Sequence, residues 1–122
     1  REFMAALQRL IEKDEAKDRQ AAVREMFTQY LGDCAFFHTA TLDDVMLWFE
    51  KYPEEERLSR MEMLAELYYA EADTMSEPVR TDILQRAFML FDFIDRHSRT
   101  FSLDRLKKMD AIEAGIRQGD GS

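Results

Sequence analysis

The chain contains few of the residues that interrupt or cross-link a fold. Its 122 residues include 4 glycines, 2 prolines and a single cysteine. One cysteine cannot form a disulfide within the chain, and its rarity is typical of proteins from reducing compartments. Because helix breakers are scarce and strong helix formers abundant, the composition favours helix over sheet. The length fits one domain with a core of its own.

Long apolar runs are also missing. No stretch approaches the roughly 20 apolar residues that a membrane span requires, and no signal-peptide pattern occurs. The formal net charge is -8 and the pI is about 4.8, which opposes binding to phosphate backbones and to anionic lipid. We therefore expect a cytoplasmic protein that binds neither nucleic acid nor membrane.

Side chains for metal or nucleophilic chemistry are scarce as well. His38 and His97 are the only histidines, and neither lies in an HExxH or ExxH pattern. Cys34 precedes His38 by four residues, so the pair could be a thiol nucleophile with its base or a partly buried structural cysteine beside a histidine. No oxyanion-forming turn accompanies them, which favours the structural interpretation. We expect no catalytic residue, no metal, no cofactor and no enzymatic activity.

What the sequence does contain is helical periodicity. Residues 3–11 form a first apolar stripe, and residues 1–3 are either an expression remnant before Met4 or the native start of that helix. The charged segment 13–18 predicts a turn. A second helix then ends at Leu31, with Gly32 as its cap. Residues 33–40 break the period and predict a loop, from which Phe36 and Phe37 plug the core.

The second half continues in the same way. Thr41 is expected to cap a helix that reaches Tyr52, and Pro53 suits the start of a helix that extends to about Met75. A further helix covers about residues 77–97, and Ser102 caps the last one. These patterns predict an all-α fold of about six helices in antiparallel pairs. We assign residues 1–118 to a single helical domain and residues 119–122 to a flexible tail.

The segment 87–94 reads Ala-Phe-Met-Leu-Phe-Asp-Phe-Ile, and Asp92 is its only polar residue. A surface helix of a small protein normally shows one apolar stripe and one polar face. This helix is therefore either central in its own domain or a surface that meets another chain. Asp92 is expected to lie near Gln85 and Arg96 on a narrow polar stripe, as a surface or ion-paired aspartate, and the alternative is a functional buried carboxylate.

Residues 63–94 resemble a tetratricopeptide-type helical hairpin. The first helix reads Leu-Ala-Glu-Leu-Tyr-Tyr over residues 64–69, and the second has Ala87, Phe91 and Ile94 at the spacing of that motif's second helix. The whole chain is also similar to small, uncharacterised bacterial helical proteins with such a hairpin in their C-terminal half. The resemblance implies a helical bundle or tetratricopeptide-like array that binds protein segments, with no catalytic residues.

Charged residues are expected on solvated helix faces. The acidic residues of the predicted helix that follows Pro53 share this assignment, and they are Glu54, Glu55, Glu56, Glu62, Glu66, Glu71 and Asp73. One basic group stands out and comprises Arg96, Arg99, Arg105, Lys107 and Lys108. It could meet an acidic partner or a phosphate. The structural interpretation, in which Arg96 and Arg99 compensate a helix C-terminus, is favoured.

These patterns lead to two functional hypotheses. The first is a non-enzymatic interaction or scaffold domain whose partner is another protein or a second copy, a homodimer being the simplest case. Its candidate interaction residues are Phe37, Trp48, Tyr69, Met89 and Phe93. The alternative is a small-ligand module with a pocket lined by Met and aromatic residues, with Tyr68, Arg80 or His38 as polar groups.

Overall fold

The structure is a computed structural model that describes residues 2–13 and 15–120, without the side chains of residues 119 and 120. Within these residues the chain forms seven α-helices, one 3-10 turn and no strand, so the all-α prediction is confirmed. The α-helices are α1 (Glu2–Ile11), α2 (Ala16–Leu31), α3 (Cys34–Thr39), α4 (Leu42–Trp48), α5 (Glu54–Ala72), α6 (Val79–His97) and α7 (Leu103–Asp120), and the 3-10 turn is Phe49–Lys51.

Predicted caps delimit several of these helices. Gly32 ends α2 with φ at 103°, a conformation that glycine adopts without strain, and its amide donates to the carbonyls of Phe27 and Thr28. The Thr41 hydroxyl accepts from the Asp44 amide at 3.2 Å at the start of α4. Residues at the helix ends themselves thus define these boundaries.

The prediction of a loop over residues 33–40 is wrong, because Cys34–Thr39 forms the short helix α3. Asp33 caps it, since its carboxylate accepts from the Phe36 amide at 3.1 Å. The chain thus passes from α2 to α3 through two residues. This additional helix is why the structure has seven α-helices where the sequence predicts about six.

Other boundaries move by a few residues. Helix α2 begins at Ala16, within the charged segment 13–18 in which the sequence predicts a short turn. The long helix α5 begins directly after Pro53 and ends at Ala72, before the predicted Met75. Helix α7 continues to Asp120, so residues 119 and 120 of the predicted tail are helical. Residues 121 and 122 lie outside the described part of the chain.

Helix α5 is the most enclosed element of the fold. It packs against α1, α2, α6 and the 3-10 turn, and α7 reaches it through the ion pair of Lys108 with Glu66. Eight of its residues are buried, and they are Met61, Leu64, Ala65, Glu66, Leu67, Tyr68, Glu71 and Ala72. The centre of the fold is therefore α5 and not the more apolar α6.

Helices α5, α6 and α7 run alternately up and down as a layer. Leu58 and Met61, near the start of α5, line one groove together with Phe93 and His97, near the end of α6. In the same way, Ile116 near the end of α7 lies beside the first half of α6. Helix α6 therefore packs against both α5 and α7, which explains most of its apolar composition.

Candidate functional site

Two carboxylates lie buried on α5, which the assignment of this group to a solvated face did not anticipate. Glu71 is 0% exposed and Glu66 is 5% exposed, so that assignment is wrong for both. A buried carboxylate is costly unless it is paired and hydrogen-bonded. Each of the two therefore needs a cationic partner from another element.

The partner of Glu71 is His38 on α3. The His38 Nε2 atom lies 2.7 Å and 2.9 Å from the two carboxylate oxygens. The other ring nitrogen, Nδ1, lies 2.6 Å from the carbonyl oxygen of Cys34. A carbonyl oxygen can only accept, so Nδ1 carries a proton and donates. The doubly protonated ring donates to both oxygens at once, which makes His38 and Glu71 an ion pair across the α3–α5 contact.

Electrostatics favour that charged form of His38. The hydrogen bond to the Glu71 carboxylate raises the pKa of His38, and the bond to the Cys34 carbonyl adds to this effect. Burial and the nearby Arg24 charge lower it, but the pKa still lies above its ordinary value. The stabilised proton holds the imidazole in one orientation between α3 and α5.

The hydrogen bonds of His38 determine whether its ring can act as a base for the Cys34 thiol. The Cys34 sulfur lies 3.6 Å from His38 Nδ1, but that nitrogen already donates to a carbonyl and has no free lone pair to remove the thiol proton. Burial raises the pKa of Cys34, although Arg24 donates to its sulfur at 3.5 Å. A reactive cysteine needs a lowered pKa. The geometry therefore favours a structural role for this pair.

A second set of polar contacts holds the end of α3. The Tyr68 hydroxyl donates to the Phe37 carbonyl, and burial raises the pKa of Tyr68 to about 12. Arg86 of α6 donates to the Ala40 carbonyl at 2.6 Å, beyond the last residue of α3. Carbonyls at a helix C-terminus lack intrahelical partners, and these donors from α5 and α6 supply them. Two of the predicted pocket residues, His38 and Tyr68, are thus engaged in fixing α3.

The predicted basic group is also used inside the fold. Arg105 is 4% exposed and lies 3.0 Å from Asp95 of α6 and 3.5 Å from Glu62 of α5. Lys108 lies 2.7 Å from Glu66. Burial raises the pKa of Glu66 in spite of this partner. Arg105 and Lys108 thus bind α7 to the layer, which agrees with a structural interpretation of the group.

The five candidate interaction residues have different surroundings. Phe37 is 0% exposed and its ring packs edge-on against Trp48 at 4.9 Å, so its assignment to an interaction surface is wrong and it is a core residue. Trp48 is half-buried, with the Lys51 ammonium 3.8 Å from its ring centre. Tyr69 is half-buried beside Phe91. Neither of these two half-buried rings forms an open apolar patch.

Met89 and Phe93 define a different surface, which we call the α6 outer face. Met89 is 57% exposed, and Phe93 lies one helical turn further on, half-buried, with its ring stacked on His97 at 4.0 Å. Phe88 and Ile116 are half-buried beside Met89 and line a shallow groove of about 450 Å³ between α6 and α7. Asp92 pairs with Arg96 at 3.0 Å along the edge of this face, as the sequence predicts.

Two broader properties bear on the kind of site the chain could hold. Within residues 2–13 and 15–120, no group of three or more His, Cys, Asp or Glu residues is arranged to hold a metal ion. No helix in the described part of the chain is long and apolar enough to cross a membrane.

Comparison with protein-family models, with curated proteins and with solved structures found no match to the chain. The tetratricopeptide-like pattern of residues 63–94 and the similarity to small bacterial helical proteins therefore stay predictions from sequence. Functional inference depends on the geometry of this chain alone.

The sequence contains a signal for the buried carboxylates of α5. Glu71 lies three residues after Tyr68 and seven after Leu64, so it shares their face of α5. Glu66 stands between Ala65 and Leu67 within an apolar run, as Asp92 does in α6. Apolar flanking residues in α5 thus indicate that Glu66 and Glu71 are buried, and both carboxylates are ion-paired inside the fold.

Proposed function

We propose that this chain is a non-enzymatic helical interaction domain that self-associates through the α6 outer face. The observation that carries the proposal is the 57% exposure of Met89 beside Phe88, Phe93 and Ile116. A contiguous apolar surface flanked by charged residues is typical of protein–protein contact sites. The tetratricopeptide-like pattern of the α5–α6 hairpin supports the same class of function.

The charges around this face favour a second copy over a basic partner. The chain carries a net charge of -8, but the face is bordered by two acidic residues, Asp92 and Glu113, and two basic ones, Arg96 and Arg117. It is therefore locally neutral. In a twofold dimer one patch meets its own copy, so a self-complementary patch must carry both signs. This face has that property.

The proposal is tested by placing a charge at the centre of the face. We expect Met89→Glu to shift the chain from dimer to monomer in size-exclusion chromatography with light scattering, because two carboxylates would be buried against each other. Leu47→Glu is the matched control, since Leu47 is 61% exposed on α4 and lies outside the face. Circular dichroism checks that both variants keep their helix content.

A monomeric wild-type chain, or equal effects of the two variants on its mass, would refute self-association through this face. The further expectations of a cytoplasmic location and of no nucleic-acid or membrane partner belong to the same proposal. They are supported by the acidic charge and the single cysteine.

A further inference from the structure

A separate cleft lies on another side of the molecule, where the first turns of α2 and α6 meet the end of α5 and the second half of α7. Its volume is about 280 Å³, close to the lower end of the roughly 300–1,000 Å³ range of small-ligand sites. Leu84 and Ile112 form part of its apolar wall, and Arg19, Arg80 and Asp73 supply its polar groups. We call it the α2–α7 cleft.

Small residues keep this cleft open. Gly115 of α7 lines it, and a Cβ atom built at that position would meet no atom within 4 Å. A glycine inside a helix costs about 1 kcal/mol relative to alanine. The helical backbone at residue 115 does not require a glycine, and the surrounding atoms leave room for a side chain. The missing side chain at Gly115 therefore adds open space to the cleft.

The two arginines come from different helices. Arg19 of α2 donates from Nη1 to the Lys13 carbonyl at 2.7 Å, which fixes its guanidinium near the turn before α2. The half-buried Arg80 side chain of α6 is in no hydrogen bond or ion pair within the described part of the chain, although its charge acts on the exposed Glu77 carboxylate. A guanidinium presents paired donors that match a carboxylate or phosphate. Arg80 is thus available to an anion that enters the cleft.

We propose that the α2–α7 cleft binds a small monocarboxylate with an apolar body. The carboxylate would pair with the guanidinium of Arg80, at the polar part of the cleft that Arg19 also lines. The apolar part of the ligand would lie against Leu84 and Ile112. Asp73 at the cleft and the net charge of -8 oppose a doubly charged phosphate more than a single carboxylate. The cleft volume suits a body of about six to eight carbons.

This site differs from the small-ligand pocket that the sequence predicts. The predicted pocket has a lining of Met and aromatic residues, with Tyr68, Arg80 or His38 as its polar groups. Only Arg80 lies at the cleft, which is lined mainly by small and aliphatic residues. The cleft is also independent of the α6 outer face, so either proposal can fail without the other.

Isothermal titration calorimetry of the full chain with hexanoate and phenylacetate tests the proposal. We expect both to bind, and hexanamide and inorganic phosphate to bind at least about tenfold more weakly, because the first lacks the charge and the second the apolar body. Arg80→Met should weaken hexanoate binding by about tenfold or more for the loss of a charge-assisted pair.

A second pair of variants locates the site. Gly115→Leu fills the cleft and should abolish hexanoate binding, whereas Ala114→Leu, at the exposed neighbouring position, should leave it unchanged. The proposal is overturned if neither carboxylate binds, if phosphate binds as well as hexanoate, or if binding survives both Arg80→Met and Gly115→Leu.

Discussion

At the scale of single residues, His38 shows how the fold controls one proton. Its two ring nitrogens face the Glu71 carboxylate and the Cys34 carbonyl, and both are acceptors. The hydrogen bond to Glu71 is the largest cause of its raised pKa. The folded state therefore binds a proton at His38 more tightly than the unfolded chain does, and folding is coupled to pH.

The sign of this coupling gives a testable result. Stability from His38 is fully present below the unfolded-state pKa, near 6.5, and is lost as pH rises through the higher folded-state pKa. We expect the free energy of unfolding, measured by urea denaturation, to fall as the pH rises above about 6.5. His38→Gln should flatten this decline because its amide does not titrate in that range.

His97→Gln is the control, since it replaces the exposed histidine at the end of α6. It should keep the slope of the wild-type chain. A slope that persists in His38→Gln and disappears in His97→Gln would show that the pair of His38 and Glu71 is not the coupled group.

At the scale of helices, α7 is held to the α5–α6 pair by buried charge as well as by apolar contacts. Arg105 is almost fully buried, and its guanidinium also donates to the Thr100 carbonyl at 3.2 Å, in the turn that precedes α7. One side chain thus joins α5, α6 and the start of α7. Losing it leaves Asp95 without its partner and opens a cavity among three elements.

We expect Arg105→Ala to lower the free energy of unfolding by about 2–3 kcal/mol, from the lost charge-assisted hydrogen bonds and packing. Lys107→Ala, two residues further on and exposed, should change it by less than about 0.5 kcal/mol. Chemical denaturation of both variants at one pH measures the difference. Equal effects would mean that Arg105 does not hold the helix layer together.

The helix boundaries show which features of the fold can be predicted from the sequence. The caps at Gly32, Thr41 and Ser102 were predictable because capping depends on side chains within a few residues of the boundary. Helix α3 was missed because six residues are too few to establish a 3.6-residue period, although Asp33 was a readable cap. Short helices are stabilised by tertiary contacts, which here come from Glu71, Tyr68 and Arg86.

Part of the α6 outer face was also predictable from the sequence. Met89 and Phe93 could be identified at the margin of α6 from periodicity, since the helix itself defines its faces. For Phe37 the sequence predicts both a plug of the core and an interaction residue, because its burial depends on α3, which the periodicity does not reveal. The α2–α7 cleft joins described residues of five helices, from Ile11 of α1 to Gly115 of α7. Arg80 is predicted as a pocket residue and Tyr69 as an interaction residue, but periodicity within single helices does not bring them together.

At the scale of the whole molecule, the apolar composition of α6 has two causes. Most of its apolar residues pack against α5 and α7 in one chain. Met89 does not, and its side chain lies mostly in solvent at the centre of the α6 outer face. The net charge of -8 opposes contact between copies over most of the surface, so the proposed association would use the locally neutral face.

Sedimentation velocity of the purified wild-type chain over a series of concentrations tests self-association most directly. We predict a concentration-dependent shift from a species of 14.4 kDa to one of twice that mass, with Met89→Glu remaining at the monomer mass throughout. A wild-type chain that sediments as a monomer over the whole series would contradict the proposal, as would a dimer that Met89→Glu leaves intact.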